Sequence, residues 1–333
     1  MAALKPTPCA IVKGDIGMSH PTPSSQDVVR RYDRRQFLTT ALAGAGILVT
    51  GYAGQAGAQG QKKGAGAKAA ATDLVTLGPT SIKATRLAQG TGWNGGGRSS
   101  EHSRLGVKAF TELIRHGVDA GVAFFDTADL YGSQPYLGTA LKGVPRDKYI
   151  LMSKLWPRKE YWNSPSGGAK EEVDRFREEL NTEVLDICLI HCMTDGEWPR
   201  TFERVRDELS ELKQKGVVRA VGVSCHDHEA LKVAAAHPWV DVVLARINNV
   251  GKGAAMDVPP AEVATVLKQA RANGKIVLGM KLFGAGALVK PEQKDASLQY
   301  VFGNQLVDAI TVGMMKPNEV DDTLQRVTKA LRV

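Results

Sequence analysis

The chain has few cysteines, and their arrangement does not suggest a metal site. Four occur among its 333 residues: Cys9 lies near the start, and Cys188, Cys192 and Cys225 lie much later. Three is an odd number, and no C-x-x-C pair or zinc spacing is present. The sequence therefore argues against a disulfide framework and a cysteine-bound metal. Its 43% apolar and 23% charged residues are ordinary for a globular protein with one large core.

An excess of positive charge is absent from most of the chain, although the formal net charge is +8. Residues 1–58 hold six Lys and Arg against three Asp and Glu, and Lys62, Lys63 and Lys68 follow. From Asp73 onward the chain contains 34 of its 43 basic residues and 32 of its 35 acidic residues, so this part is almost neutral. We therefore attribute the basicity to a leader and linker, and we predict no nucleic-acid partner.

The first 58 residues have the order of features of a signal peptide. The pair Arg34-Arg35 precedes two large apolar residues and a mild apolar stretch, 39–51, and Ala56-Gly57-Ala58 is an A-x-A cleavage site. The stretch is too short and too rich in glycine for a membrane span of about 20 residues. The segment resembles a twin-arginine (Tat) signal, the bacterial system that exports folded proteins.

This resemblance implies that the Tat export machinery delivers the protein to the bacterial periplasm and that cleavage occurs near Gln59. No stable membrane span would remain after cleavage, whereas an uncleaved signal would anchor the protein to the membrane. Residues 59–72 are a run of mostly Gly, Ala and Lys without a large apolar residue, which predicts a flexible linker. The folded domain is expected to cover residues 73–333.

Apolar strand-like runs and helix-period segments alternate after a turn at 77–82 between two short strand-like pieces. Eight strand–helix pairs in about 260 residues favour an α/β fold with a closed (β/α)8 TIM barrel over an open doubly wound sheet. The predicted strands are 86–89, 123–126, 150–154, 186–191, 218–224, 242–248, 276–281 and 309–312. The predicted longer helices are 105–120, 170–181, 198–215, 229–237, 260–273 and 318–330, with shorter ones after the second and seventh strands.

Polar residues end four successive predicted strands, where a barrel of this kind places its chemistry. They are Asp126, Lys154, His191 and Ser224. In Phe124–Gly132, which reads FFDTADLYG, Tyr131 follows Asp126 by five residues, and SKLW, LDICLIH and GVS contain the other three. With these motifs in this order, the chain resembles the aldo-keto reductases over essentially all of residues 73–333.

The resemblance implies NAD(P)H-dependent reduction of an aldehyde or ketone, with Asp126, Tyr131, Lys154 and His191 as a catalytic tetrad. A free tyrosine has a pKa of about 10 and gives up its proton reluctantly. An ammonium group at Lys154 favours the tyrosinate, and Asp126 would keep that lysine charged and oriented. His191 can position the substrate oxygen, so we predict that Tyr131 is the general acid.

Residues Gly90–Gly95 match the G-x-G-x-x-G pattern of a Rossmann fold, but a loop follows them where that fingerprint needs a helix. We therefore favour the cofactor site that the family resemblance implies. There Ser224 would bind the carboxamide and Met280 would cover the nicotinamide, where many relatives have tyrosine. A glycine-containing loop would lie along the pyrophosphate; its residues include Phe283, Gly284 and Gly286.

Two further groups of residues concern the cofactor phosphate and the substrate. By the same resemblance, Lys316 matches the position at which many relatives have a cation for the 2′-phosphate, which favours NADP. The nearby Glu319 would repel that phosphate and leaves NAD possible. Trp93, Trp156 and Cys192 fall in loops that line the family's substrate pocket and predict an apolar cleft for a small carbonyl compound.

A metal site is not predicted, because Asp227 between two histidines is expected to cap a helix. Two other functions remain open. The first is an exported redox sensor or regulatory subunit that binds a nicotinamide cofactor with little turnover. The second is an unrelated barrel lyase or isomerase.

Overall fold

The computed structural model of the chain describes residues 69–158 and 168–332. The predicted signal peptide, residues 1–58, and most of the predicted linker, residues 59–72, lie outside the described residues. The packed body includes Ala71, slightly before the predicted boundary at Asp73. Ala71 is buried, and its N–H donates to Thr328 Oγ1 over 3.0 Å.

An antiparallel hairpin opens the body. Its strands are β1 (Leu74–Thr76) and β2 (Lys83–Thr85), and their pairing confirms the predicted turn between two short strands. Leu77 and Ile82 in that turn are buried in the cluster of apolar side chains that fills the barrel interior. The hairpin therefore packs onto the barrel and extends its core.

Eight parallel strands close into a barrel in which each pairs with the next along the chain, and the last pairs with the first. They are β3 (Leu87–Gly90), β4 (Phe124–Asp126), β5 (Ile150–Leu155), β6 (Leu185–Met193), β7 (Val218–Cys225), β8 (Val242–Arg246), β9 (Ile276–Met280) and β10 (Ala309–Gly313). Their apolar runs suit a parallel sheet that is buried on both faces. The predicted (β/α)8 barrel is confirmed, and each predicted strand end lies within two residues of the observed one.

Helices follow the barrel strands. They are α1 (Gly106–Asp119), α2 (Gln134–Ala140), α3 (Ala169–Leu180), α4 (Trp198–Thr201), α5 (Glu203–Gln214), α6 (His228–Ala236), α7 (Pro260–Ala272), α8 (Pro291–Gly303) and α9 (Pro317–Ala330). The apolar faces of the longer helices pack against the outside of the barrel. In the described part of the chain, no helix has the length and apolarity needed to cross a membrane.

Two helix predictions are wrong in detail. The helix predicted over 198–215 is divided into α4 and α5, because Phe202 has φ −113° and ψ 32°, outside the helical region. The break accompanies the burial of Trp198, whose indole N–H donates to the carbonyl of Ala230. The helix after the seventh barrel strand, α8, has 13 residues and is not short.

Apolar side chains form two layers that position the site. One layer lies between the strands and the helices, and the other fills the barrel interior with side chains such as Phe124, Leu189, Leu244 and Leu278. Near the carboxyl ends of β4, β5 and β6, buried polar side chains replace this apolar filling. A barrel of this kind carries its chemistry at that end.

Candidate active site

The four predicted catalytic side chains converge at the carboxyl ends of the strands. Asp126 is the last residue of β4, Lys154 lies near the end of β5, and His191 lies near the end of β6. Tyr131 ends a single 3-10 turn, Asp129–Tyr131, that follows β4. The structure therefore brings together all four residues of the predicted tetrad.

Lys154 is buried and held by two oxygen atoms. Its side chain is 1% exposed, and its ammonium donates to Asp126 Oδ1 and, over 2.9 Å, to the carbonyl of Thr127. Burial lowers the pKa of Lys154, and the charge of Asp126 acts in the opposite direction. The second carboxylate oxygen of Asp126 accepts a hydrogen bond of 2.7 Å from Thr311 Oγ1. The carboxylate is thereby fixed from two sides.

The Tyr131 phenol lies against both the lysine and the histidine. Its hydroxyl oxygen is 3.4 Å from His191 Nε2. Lys154 Nζ is 4.9 Å from the centre of the phenol ring, and the ring meets the imidazole at 84°. An acidic O–H, an ammonium and an imidazole therefore share one small volume at the mouth of the barrel.

The surroundings of His191 favour its neutral imidazole form. Burial lowers its pKa well below 6.5, and the positive charge of Lys154 acts in the same direction. Its Nδ1 is buried and has no hydrogen-bond partner among the described residues. The Trp156 ring meets the imidazole at 89°. A neutral ring can donate or accept a hydrogen bond without adding a second charge beside Lys154.

A cleft of about 300 Å³ opens beside these residues. Tyr131, Lys154 and Asp126 line one part of it. The end of β9 and the loop that follows line another part, and they contribute Met280, Phe283 and Gly286. The exposed Trp93, from the loop after β3, also lines the cleft. The cleft therefore brings three of the tetrad residues together with residues that were predicted to bind the cofactor and the substrate.

Several predicted residues lie outside the lining of this cleft. Ser224 is buried and accepts a hydrogen bond of 2.8 Å from the N–H of Cys192. Gly284 is buried in the 3-10 turn after β9. Lys316 is exposed and precedes α9, whereas Glu319 one turn later does line the cleft. Trp156 and Cys192 are buried together next to the tetrad.

Sequence reasoning missed three residues of this region. Thr311, which lies 185 residues after Asp126 in the sequence, donates a hydrogen bond to its carboxylate. No local sequence pattern indicates such a contact. Lys281 and Lys294 line the cleft with positive charge, and Lys294 lies 5.4 Å from the centre of the Phe283 ring. Lys281 could have been predicted from the sequence, because it directly follows β9 and residues at the strand ends of such a barrel lie near the site.

A larger cavity, of about 630 Å³, lies at the other end of the barrel. It is lined by residues at strand starts, including Ile150 and Asp186. Arg146 and Arg219 each form an ion pair of 2.6 Å with Asp186 there. These pairs satisfy the buried carboxylate, so we assign the chemistry to the smaller cleft.

The predicted helix cap lies at the start of α6. Asp227 Oδ1 accepts a hydrogen bond of 3.0 Å from the N–H of Ala230, which confirms that Asp227 caps α6.

Comparisons with known proteins agree with this geometry. A sequence model of the aldo/keto reductase family matches residues 87–329. The chain is 24% identical over 296 residues to the L-galactose dehydrogenase of Arabidopsis thaliana, a match that covers 77% of this chain and 88% of that protein. It is 25% identical over 189 residues to the NADH-specific methylglyoxal reductase of Escherichia coli, with coverage of 52% and 58%.

The fold is similar to that of an aldo-keto reductase from Klebsiella pneumoniae solved in complex with NADPH. The TM-score is 0.56 at 19% identity, and the match covers 78% of this chain and 89% of that one.

Proposed function

Since this chain belongs to the aldo/keto reductase family, we propose that Tyr131 is the proton donor when it reduces an aldehyde or ketone to an alcohol. Membership makes the protein an NAD(P)H-dependent oxidoreductase. One observation supports the assignment of roles above all others. The Tyr131 hydroxyl lies 3.4 Å from His191 Nε2 while Lys154 Nζ lies 4.9 Å from the phenol ring.

The side chains of the tetrad account for the proton. As the substrate oxygen gains negative charge, the O–H of Tyr131 donates its proton to that oxygen. The Lys154 ammonium stabilises the phenolate that remains, and Asp126 keeps the ammonium charged and in place. The neutral imidazole of His191 orients the substrate oxygen by a hydrogen bond.

A nicotinamide cofactor supplies the hydride when it is bound. The cleft fits such a group, because Met280 lines it with an apolar side chain. Lys281 and Lys294 line the same cleft and offer positive charge for a diphosphate. A β-carbon added at Gly286 would meet nothing within 4 Å, so the backbone there is open to approach.

We propose NADP as the preferred cofactor, with NAD as the alternative. The complex of the Klebsiella pneumoniae protein with NADPH and the position of Lys316 support NADP. The Escherichia coli relative is NADH-specific, and Glu319 places a negative charge in the cleft; both observations favour NAD.

We also propose that the substrate is a small carbonyl compound held beside Trp93, while the buried Trp156 and Cys192 support the tetrad from within. Trp156 and Cys192 form an apolar cluster with Leu130, against which Tyr131 packs. The names of the relatives suggest a first panel of methylglyoxal, galactose and simple aldehydes.

The decisive experiment replaces Tyr131 with phenylalanine. We expect kcat on the carbonyl panel to fall by about 10² to 10⁴-fold, the usual contribution of a positioned acid. NADPH binding, followed by fluorescence titration, should change little because the ring is kept.

Tyr136→Phe is the matched control, since Tyr136 lies in α2 and packs against Phe110 at 5.7 Å, away from the tetrad. Full turnover in Tyr131→Phe would contradict the proposed role of Tyr131. Tight cofactor binding by the unaltered protein, with no turnover on any carbonyl compound, would instead favour the redox-sensor alternative.

Export is a further proposal. The pair Arg34-Arg35, the apolar stretch 39–51 and the A-x-A sequence before Gln59 support a Tat signal on residues 1–58, a linker over 59–72 and a barrel over 73–333. We therefore propose that the Tat machinery delivers the folded reductase to the periplasm.

A further inference from the structure

The glycine-rich string after β3 packs against the catalytic phenol. Its residues 92–95 form a tight turn in which the N–H of Gly95 donates to the carbonyl of Gly92 over 3.1 Å. Gly92 also lines the cleft beside Tyr131 and Lys154. The next α-helix, α1, begins only at Gly106. The string therefore reaches the site without the helix start that would bind a phosphate there.

Neither Gly92 nor Gly95 leaves space for a side chain. A β-carbon on Gly92 would overlap Cδ2, Cε2 and Cζ of the Tyr131 ring. A β-carbon on Gly95 would lie 2.5 Å from Cδ1 of the same ring. Carbon atoms in contact normally lie about 3.5 to 4.0 Å apart. The bare backbone of the turn is therefore the surface on which the phenol rests.

Other groups hold the phenol from further directions. Lys154 Nζ lies 4.9 Å from the ring centre, and the His191 ring meets it edge-on with centres 5.4 Å apart. Asp129 starts the 3-10 turn that carries Tyr131, and Arg175 Nη2 fixes the Asp129 carboxylate at 2.7 Å. A ring pushed away from the glycines would change its position relative to both Lys154 and His191.

We propose that Gly92 and Gly95 are positioning residues, which hold the Tyr131 hydroxyl at the reacting carbonyl by letting the turn touch the phenol ring. This inference rests on the proposed role of Tyr131 as proton donor. A methyl group at position 92 requires the ring or the turn to move by about 1 Å. A displacement of that size can reduce an enzymatic rate about a hundredfold.

The first test measures kinetics in the full chain. We expect Gly92→Ala to lower kcat about a hundredfold and Gly95→Ala to lower it about tenfold, with KM for the carbonyl changed by less than about threefold. A merely structural role would lower only the fraction of folded enzyme. We therefore calculate kcat per NADPH-binding site, counted by fluorescence titration, and a structural role would leave this kcat unchanged. Gly303→Ala is the control, because a β-carbon at the end of α8 meets nothing within 4 Å.

The second test measures thermal stability and does not depend on activity. Overpacking at position 92 should lower the melting temperature by roughly 3 to 8 °C. Tyr131→Ala removes the phenol ring. When Gly92→Ala is added to Tyr131→Ala, the melting temperature should therefore fall much less than when Gly92→Ala is made in the unaltered protein. If Gly92→Ala alone fails to fold, folding of the Gly92→Ala/Tyr131→Ala protein supports the same contact.

The outcomes separate this inference from the proposed function. Inactive Tyr131→Phe together with Gly92→Ala at nearly normal kcat would overturn the positioning role and leave the proton donor in place. Equal destabilisation by Gly92→Ala in both backgrounds would also overturn it. An active Tyr131→Phe protein would contradict the proposed function itself, before any glycine variant is made.

Discussion

Lys316 and Glu319 carry opposite charges at the start of α9 and make opposite predictions about the cofactor. Lys316 is exposed just before the helix, and Glu319 lines the cleft and accepts a hydrogen bond of 2.7 Å from the N–H of Met315. If Lys316 binds the 2′-phosphate, Lys316→Glu should weaken NADPH more than NADH in a binding titration. Lys108→Glu on α1 is the distant control. If Lys316→Glu weakens the binding of both cofactors equally, Lys316 does not bind the 2′-phosphate.

His102 makes the stability of the protein depend on pH. Its ring is fully buried, its Nδ1 accepts a hydrogen bond from the N–H of Trp93, and its Nε2 lies 3.0 Å from the carbonyl of Met314. Burial lowers the pKa of His102 from 6.5 to about 4. Between these values the unfolded chain binds a proton that the folded chain does not. The free energy of unfolding therefore falls as the pH is lowered through this window, by up to about 3 kcal/mol.

Urea unfolding between pH 7.5 and pH 4 tests this dependence. In His102→Gln the free energy of unfolding should vary less with pH than in the unaltered protein. His116→Gln changes a partly exposed histidine on α1 and is the comparison for the loss of a histidine that is not buried. An unchanged slope in His102→Gln would show that His102 is not the group responsible.

At the scale of elements, the barrel strands were predictable because most contain a short run of apolar residues and alternate with helix-period segments. The placement of the proposed catalytic residues was predictable because polar side chains stand at strand ends, as at Asp126 and Lys154. The break at Phe202 was not predictable, since helical periodicity continues across a single non-helical residue. Contacts across long sequence separation, such as Thr311 with Asp126, have no local signal at all.

The capping of α6 gives a prediction at the same scale. Asp227→Ala removes the acceptor for the N–H of Ala230, so it should lower the free energy of unfolding by about 1 kcal/mol. Asp227→Asn keeps a side-chain oxygen as acceptor, so its free energy of unfolding should fall much less. Chemical denaturation measures both variants, and identical losses would exclude a capping role.

At the scale of the whole molecule, the Tat proposal requires that the export machinery recognise Arg34 and Arg35. Replacing Arg34 and Arg35 with lysine should leave a folded reductase inside the cell, which fractionation and an activity assay can measure. The neighbouring pair Arg30-Arg31 offers a matched control, since Tyr32 and Asp33 follow it and not two large apolar residues. If both double variants are exported equally, the Tat proposal is wrong.

The two ends of the described body meet at the end of the barrel away from Tyr131, because α9 runs back from the carboxyl end of β10. Arg332 Nε donates a hydrogen bond to the carbonyl of Ala69 over 2.9 Å, and the N–H of Ala71 donates to Thr328 Oγ1 nearby. A short peptide joining these ends would make the body circular, and new termini could then be opened in a surface loop. The barrel therefore lends itself to circular permutation that leaves its reactive groups in place.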